Sequence, residues 1–239
     1  DMSEQVFFVL HGEGSNGKGV MVEVFRHVLG PYAHEAGFEC FADKQAHPEV
    51  LANLHEKRFV TAAEPRERTR LHEQRLKALS HADTISARYM RQDRFQFRPE
   101  CKIWLSVNHK PDVGDDSIGF WRSVRLIPFN AQFMGDDAED GLTDRLKREA
   151  EGILAWAVRG CLKWREEGLG FPDPIADASA EWEEEVDPLD TFLQERCTLH
   201  DHCKATKKQL WLAYCDWADE QRVKESKRLI CCKRFQPHG

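Results

Sequence analysis

The sequence predicts an α/β fold: a parallel sheet flanked by helices, followed by a smaller helical module. Three observations carry that prediction. Short apolar runs recur at 6–10 (VFFVL), 58–63 (RFVTAA), 102–107 (KIWLSV) and 123–129 (SVRLIPF), each followed by a polar residue, the pattern of strands buried on both faces. Helical periodicities lie between them, which argues for a parallel core over about residues 1–130. The first run also enters the first helix through the glycine-rich stretch "GEGSNGKG" at 12–19.

Each element has its own signal. Residues 17–30 place apolar side chains at 20, 21, 24, 25, 28 and 29 and stop at Gly30–Pro31, as a helix does. Residues 70–81 (RLHEQRLKALSH) read as a second helix, and 142–164 as a long amphipathic third. Residues 168–188, rich in Pro, Gly, Asp and Glu, read as an acidic linker with room for one short helix. Beyond it, 189–196 and 206–221 read as helices, with Thr206 and Gln209 forming a capping box. The expected domains are therefore a core over 1–167, a linker over 168–188 and a helical or winged-helix-like module over 189–239.

Composition bounds the function. The chain has 239 residues, 41% of them hydrophobic, enough for one large domain or one domain with a small companion. No run approaches the roughly 18 apolar residues of a membrane helix, and no signal peptide precedes the first strand. The sequence opens at Asp1 on the edge of a motif, so it is expected to be excised from a longer polypeptide. None of the eight cysteines stands in a CxxC pair, which disfavours a zinc ribbon and a disulfide scaffold and suits a reducing compartment. The net charge of −7 conceals net-positive blocks at 55–130 and 191–239, separated by a strongly acidic one. Basic groups gathered on one face can still bind nucleic acid.

Gly12, Glu13, Gly14, Ser15, Asn16, Gly17, Lys18, Gly19 and Val20 follow a strand and open a helix, the context that gives GxxxxGK its meaning as a phosphate loop. The glycines let backbone N–H groups curl around phosphate oxygens, the helix N-terminus favours negative charge, and Lys18 reaches the β- and γ-phosphates. Nucleotide binding follows, with ATP and Mg²⁺ as the expected ligands. Gly19 stands where a Ser or Thr hydroxyl would touch the metal, which then depends on phosphate oxygens, water and an acid elsewhere.

Glu64, directly after the second strand-like run, is the candidate acid, although Ala63 stands where many such sites carry another. Asn108, at the end of the third run, is placed to orient a water against the γ-phosphate. Either Arg122 or Arg125 is a candidate arginine finger.

In order and spacing, "GEGSNGKG", "KRFVTAAE", "RLKALSHADTISARYMRQDRFQFRP", "KIWLSVNHKP" and "GFWRSVRLIPF", then "EAEGILAWAVRGCLKW" and "DPLDTFLQE", resemble the superfamily 3 helicases. These are a branch of the AAA+ ATPases, and the likeness is to the helicase region of phage, plasmid and poxvirus primases. It implies an AAA+-like core with Lys18 as phosphate-loop lysine, Glu64 as the acid that holds Mg²⁺ directly or through water, Asn108 as sensor and Arg122 as finger. Ser123 departs from the usual second arginine, which leaves Arg125 as the other candidate. The resemblance further implies a hairpin between Glu64 and Asn108 that lines the pore of a ring, a hexamer in the full-length protein, and a primase domain ahead of this segment.

That region carries Lys77, Arg88, Arg91, Arg94 and Arg98 interleaved with Tyr89, Phe95 and Phe97. Arginines with aromatics suit single-stranded DNA, although the two phenylalanines fit better as residues alternating into a sheet. A basic tail, Lys224, Lys227, Arg228, Lys233 and Arg234, offers a second contact.

The leading expectation is an ATP-dependent DNA helicase of a phage or mobile-element replication protein, acting in the host cytoplasm and translocating on single-stranded DNA as a ring. The alternative is a nucleotide-gated DNA-binding or loading module with little hydrolysis. A phosphate-loop kinase leaves the basic hairpin unexplained. The oligomerising helices of such proteins precede the first strand, so sedimentation of this chain alone at micromolar concentration should show weak or absent hexamers; a stable ring would contradict that.

Overall fold

The computed structural model describes residues 2–42, 48–64, 69–113, 118–186, 188–198 and 204–221. In chain order the elements are β1 (Phe7–His11), α1 (Lys18–Leu29), β2 (Ala33–Glu35), α2 (Glu39–Ala42), α3 (Pro48–Ala52), β3 (Phe59–Ala63), α4 (Glu73–Ser80), β4 (Ile85–Arg88), β5 (Arg94–Phe97) and β6 (Lys102–Val107). They continue with α5 (Ile118–Trp121), β7 (Val124–Pro128), α6 (Leu142–Arg148), α7 (Ala150–Glu167), α8 (Asp173–Glu185), α9 (Pro188–Arg196) and α10 (Lys207–Glu220). The four expected strands are β1, β3, β6 and β7, joined by the short β2.

These five strands form one parallel sheet in the order β2-β3-β6-β1-β7, flanked by helices, and β4 and β5 form a separate antiparallel hairpin. Because all five strands run the same way, their C-terminal ends share one edge, where His11, Ala63 and Val107 lie. Hydrophobic residues fill the sheet on both faces. Phe7 packs on Phe120 of α5, while Phe8 stacks on its cross-strand neighbour Trp104 at 4.1 Å and Phe25 of α1 meets Phe59. The thiols of Cys40 and Cys101 sit inside this core, pushed by burial up to about 12 and about 11, so both are packing groups rather than nucleophiles.

Two expectations are corrected. The single helix over 142–164 is broken at Glu149, whose ψ of 15° ends α6 and starts α7. Eighteen residues long, α7 buries none of them fully and exposes Leu154, Trp156, Val158 and Leu162. The acidic linker holds the 13-residue helix α8, packed against the sheet. Gly168, Gly170, Pro172 and Pro174 lie on its approach and first turn, where Pro is compatible with a helix start, and Pro188 opens α9. Ser179 and Trp182 form its buried stripe, and the acids Asp177, Glu181, Glu184 and Glu185 face outward.

That stripe closes the sheet. The Leu126 N–H of edge strand β7 donates to Ser179 Oγ at 3.0 Å, and Trp182 meets Trp121 edge to face at 5.4 Å. By contrast α9 and α10 make their own small core from Leu189, Phe192, Tyr214, Trp217 and Ala218. The predicted capping box is formed by Thr206 and Gln209. The basic tail from Lys224 to Arg234, and with it any wing, lies outside the described residues.

Trp182 is 1% exposed and fills the seam between α8 and the sheet. Trp182→Ala should lower unfolding free energy by about 3–5 kcal/mol, read as a shift of the urea midpoint at unchanged slope.

Candidate functional site

At the end of β1 the chain turns at Gly12, where a Cβ would lie 2.4 Å from the carbonyl oxygen of Phe129 and 2.6 Å from Asn16 Nδ2. Only glycine fits so close an approach. Gly17 then takes the left-handed conformation, φ 85°, as the residue before α1. Ser15 is left-handed too, φ 60°, an uncommon state for a side-chain-bearing residue, and its carbonyl accepts the Phe133 N–H at 2.7 Å.

Inside this loop lies Lys18, 5% exposed. Its Nζ donates to the carbonyl oxygen of Gly12, to Asn16 Oδ1 at 3.1 Å and to Asn108 Oδ1 at 3.4 Å. Asn16, itself buried, donates its amide to the Phe129 carbonyl at 3.2 Å. Burial pulls the Lys18 ammonium below its usual pKa. Three neutral oxygens hold it, and among the described residues no carboxylate pairs with it. A buried cation without a counter-ion is costly, and an anion brought against it would offset that cost.

Glu64 follows β3, its N–H donating to the Ser106 carbonyl at 2.9 Å. Burial raises its carboxyl above the usual 4.5, opposed by N–H donors of His109, Thr69 and Asn108. Oε1 nevertheless remains buried without a hydrogen-bond partner among the described residues. An orphaned carboxylate oxygen on the edge that carries Lys18 fits a water or a hydrated Mg²⁺, and Gly19 contributes no side chain to compete for it. Thr61 and Ser106 line the roughly 990 Å³ cleft flanking Gly19, and Thr61 Oγ1 is buried with no partner among the described residues. On the other side of α1, a roughly 780 Å³ cavity adjoins Ser15 and Gly17 and is lined by Val20, Met21 and Phe133.

Two further groups at this edge escape a reading of the sequence. His11 is held below its usual pKa by burial and by the charges of Lys110 and Lys18, against the raising effect of Glu185. Lys110, two residues after Asn108, pairs with Glu185 of α8 at 2.8 Å and with Glu181 at 3.6 Å, fastening the Asn108 loop to that helix. Only the position of His11 next to the glycine loop signals it in the sequence; nothing local signals the lysine's partners.

The remaining candidates lie elsewhere. Arg122 and Arg125 sit at the N-terminal end of β7, about 13 Å of strand from its far end at Pro128, away from the glycine-rich loop of the same chain. Arg122 is exposed. Arg125 donates through Nη1 to the carbonyls of Arg122 and Val124, both at 2.8 Å.

The hairpin also grows from this opposite end of the sheet, running through Arg98 into Lys102 at the start of β6. Arg88 and Arg94 are exposed and directly opposite each other across the two strands, a like-charge pair that is destabilising without an anion. Arg91 is exposed at the tip with φ 60°, and Lys77 is half-buried on α4. The hairpin aromatics turn inward. Tyr89 stacks on Phe95 and donates to the Ala52 carbonyl at 3.0 Å, and His55 lies edge-on to both Phe95 and Phe97. Tyr89 is therefore packed rather than presented as a stacking platform, while the two phenylalanines alternate inward as expected.

The fold is thus a five-stranded parallel α/β domain with a glycine-rich loop and a buried lysine between β1 and α1. Residues 10–122 match a family whose description is "Family of unknown function (DUF5906)". The chain is 24% identical over 223 residues to "Putative helicase L207/L206" of Acanthamoeba polyphaga mimivirus, covering 84% of this chain and 23% of that protein. It is 23% identical over 239 residues to "Putative helicase 022R" of Frog virus 3 (isolate Goorha), covering 90% and 24%. The chain spans about a quarter of the length of these curated relatives. Among solved structures, "The apo structure of NrS-1 C terminal region (305-718)" aligns over 97% of this chain and 54% of that one, with a TM-score of 0.52 and 15% identity. An A form of the NrS-1 C-terminal region aligns over 63% and 35%, with a TM-score of 0.50 and 18% identity. The sequence is therefore similar to viral proteins named as helicases, and the fold is shared with a solved domain.

Because burial makes Glu64 hold its proton more tightly in the folded protein than in the unfolded chain, its ionisation opposes folding above the unfolded pKa, and the penalty disappears below it. Glu64→Gln should therefore stabilise the protein at pH 7.5, with the gain gone below about pH 4.5, in urea melts at the two pH values. An equal gain at both would deny the buried ionisation.

Proposed function

We propose that the chain is the motor domain of a viral replicative helicase, hydrolysing ATP between neighbouring copies in a ring. The observation that supports this reading best is Lys18, a buried ammonium facing neutral oxygens at the C-terminal edge of a parallel sheet. The backbone N–H groups of residues 13–19 cradle the phosphates, Lys18 takes the β- and γ-oxygens, and the base occupies the cavity beside Val20, Met21 and Phe133. Glu64 would hold the attacking water or a metal through its Oε1, and Asn108 would orient that water. Mg²⁺, if held there by Glu64 directly or through water, would supply charge neutralisation, since Gly19 offers no hydroxyl. A neighbour's Arg122 completes the site, and Arg125 acts through it by holding the Arg122 carbonyl.

On the opposite end, Arg88, Arg91 and Arg94, with Lys77 behind them, grip the phosphates of single-stranded DNA. Strand β6 runs from the hairpin's root at Lys102 to Asn108, so a change at the γ-phosphate and a displacement of the hairpin share one strand. The ATPase core extends through α8, and α9 with α10 belongs to a separate helical, winged-helix-like module. A primase domain lies elsewhere in the parent polypeptide.

A second reading, a nucleotide-gated DNA-binding or loading module with little hydrolysis, is favoured by Gly19 and Ala63, which remove a metal ligand and a second acid. ATP turnover with and without single-stranded DNA separates the two. The motor predicts DNA-stimulated turnover, reduced about a thousandfold in Arg122→Ala, abolished in Lys18→Ala, and partly restored when the two variants are mixed. ATP binding without turnover, lost in Lys18→Ala, would favour the gated module.

A further inference from the structure

A second cavity lies at the N-terminal end of β7, remote from the phosphate loop. It measures about 440 Å³, and its walls include Gln5, His81, Trp121, Ser123, Arg125 and Phe171. Two buried donors on these lining residues have no hydrogen-bond partner among the described residues: Trp121 Nε1 and Arg125 Nε. Trp121 is 7% exposed, and a buried donor left unpaired is destabilising until something accepts from it.

Arg125 is held for such a purpose. Its Nη1 donates to two backbone carbonyls, and its guanidinium lies 4.2 Å over the ring of Phe171. These contacts fix the plane, while Nε, on the edge that forks onto a carboxylate or phosphate, has no hydrogen-bond partner among the described residues. Glu4 also lines the cavity but accepts the Trp164 Nε1–H at 3.0 Å, and no carboxylate among the described residues forms an ion pair with Arg125. Beside the fork, His81 Nε2 and Ser123 Oγ lie 3.2 Å apart and add polar groups to the wall.

The geometry points to a phosphate-binding site in this cavity, formed by the Arg125 fork and the Trp121 indole N–H. Its position selects the backbone of a nucleic-acid strand as the source of the phosphate. The cavity opens at the end of the sheet from which the Arg88–Arg94 hairpin grows, and His81 precedes that hairpin by four residues. A strand gripped by the hairpin thereby gains an anchor at its root. The other source of the same chemistry is the nucleotide of a neighbouring copy. The anion site stands independently of the helicase reading; its assignment to a nucleic-acid strand rests on it.

The test follows the Trp121 indole N–H signal in ¹⁵N-labelled full-length chain, identified by its loss in Trp121→Phe, during titrations with inorganic phosphate, a short oligodeoxythymidine and Mg-ATP. Phosphate should shift that signal saturably, and Arg125→Gln should weaken the apparent affinity about tenfold. Response to the oligonucleotide at lower concentration than to Mg-ATP supports the strand; the reverse order overturns that assignment and gives the phosphate to the nucleotide. A signal unmoved by all three, or moved equally in Arg125→Gln, overturns the site. Should Arg125→Gln fail to fold, calorimetric phosphate binding by Trp121→Phe, which keeps an aromatic ring against Phe120 and Trp182, replaces it: weaker binding supports the site and unchanged binding overturns it.

Discussion

The burial of Lys18 without a counter-charge is the constraint around which the loop is built. An ammonium in that position is tolerable only while several oxygens face it, and each of those oxygens comes from a different local device. Gly12 brings its carbonyl close because it has no Cβ to collide with Phe129. Asn16 is held by its own amide bond to that same Phe129 carbonyl, and Asn108 is delivered by the end of β6. Removing any of the three would leave the lysine less compensated, and supplying an anion would compensate it better.

A parallel sheet separates its two ends by construction, and this molecule assigns different chemistry to each. Lys18, Glu64 and Asn108 occupy the C-terminal edge; the arginines of the hairpin and of β7 occupy the other. Two elements span the distance. Strand β6 does so along the backbone, and α8 does so from outside, touching the Asn108 loop through Lys110 and the Arg122 neighbourhood through Trp182 and Trp121. Acidic residues that look like solvent-facing filler in the sequence include the two that fasten Lys110.

What was legible in the sequence was local. The strands, the glycine-rich loop and the residues at strand ends announce themselves by runs, glycines and position, and parallel strands then bring those ends together without further instruction. The arginines at 88, 91 and 94 were legible as a cluster. Their face-to-face arrangement was not, because it depends on the turn register set at the left-handed Arg91. Nor was α8: its buried stripe is narrow, anchored by one serine and one tryptophan, and proline and carboxylates mask it. The fixing of Arg125 by Phe171 joins residues 46 positions apart, a relation that no spacing rule encodes.

The Ser179 hydroxyl on the Leu126 amide has one more consequence. An exposed edge strand invites a foreign strand to hydrogen-bond along it, the route to β-augmentation and to aggregation. On the β7 side that route is obstructed by α8; on the other side the edge is β2, only three residues long. Copies of this domain are therefore steered away from extending one another's sheets. Contacts made by the main sheet's neighbourhood would then be built from side-chain surfaces, which can slide and reseat between states, rather than from continuous backbone ladders, which cannot.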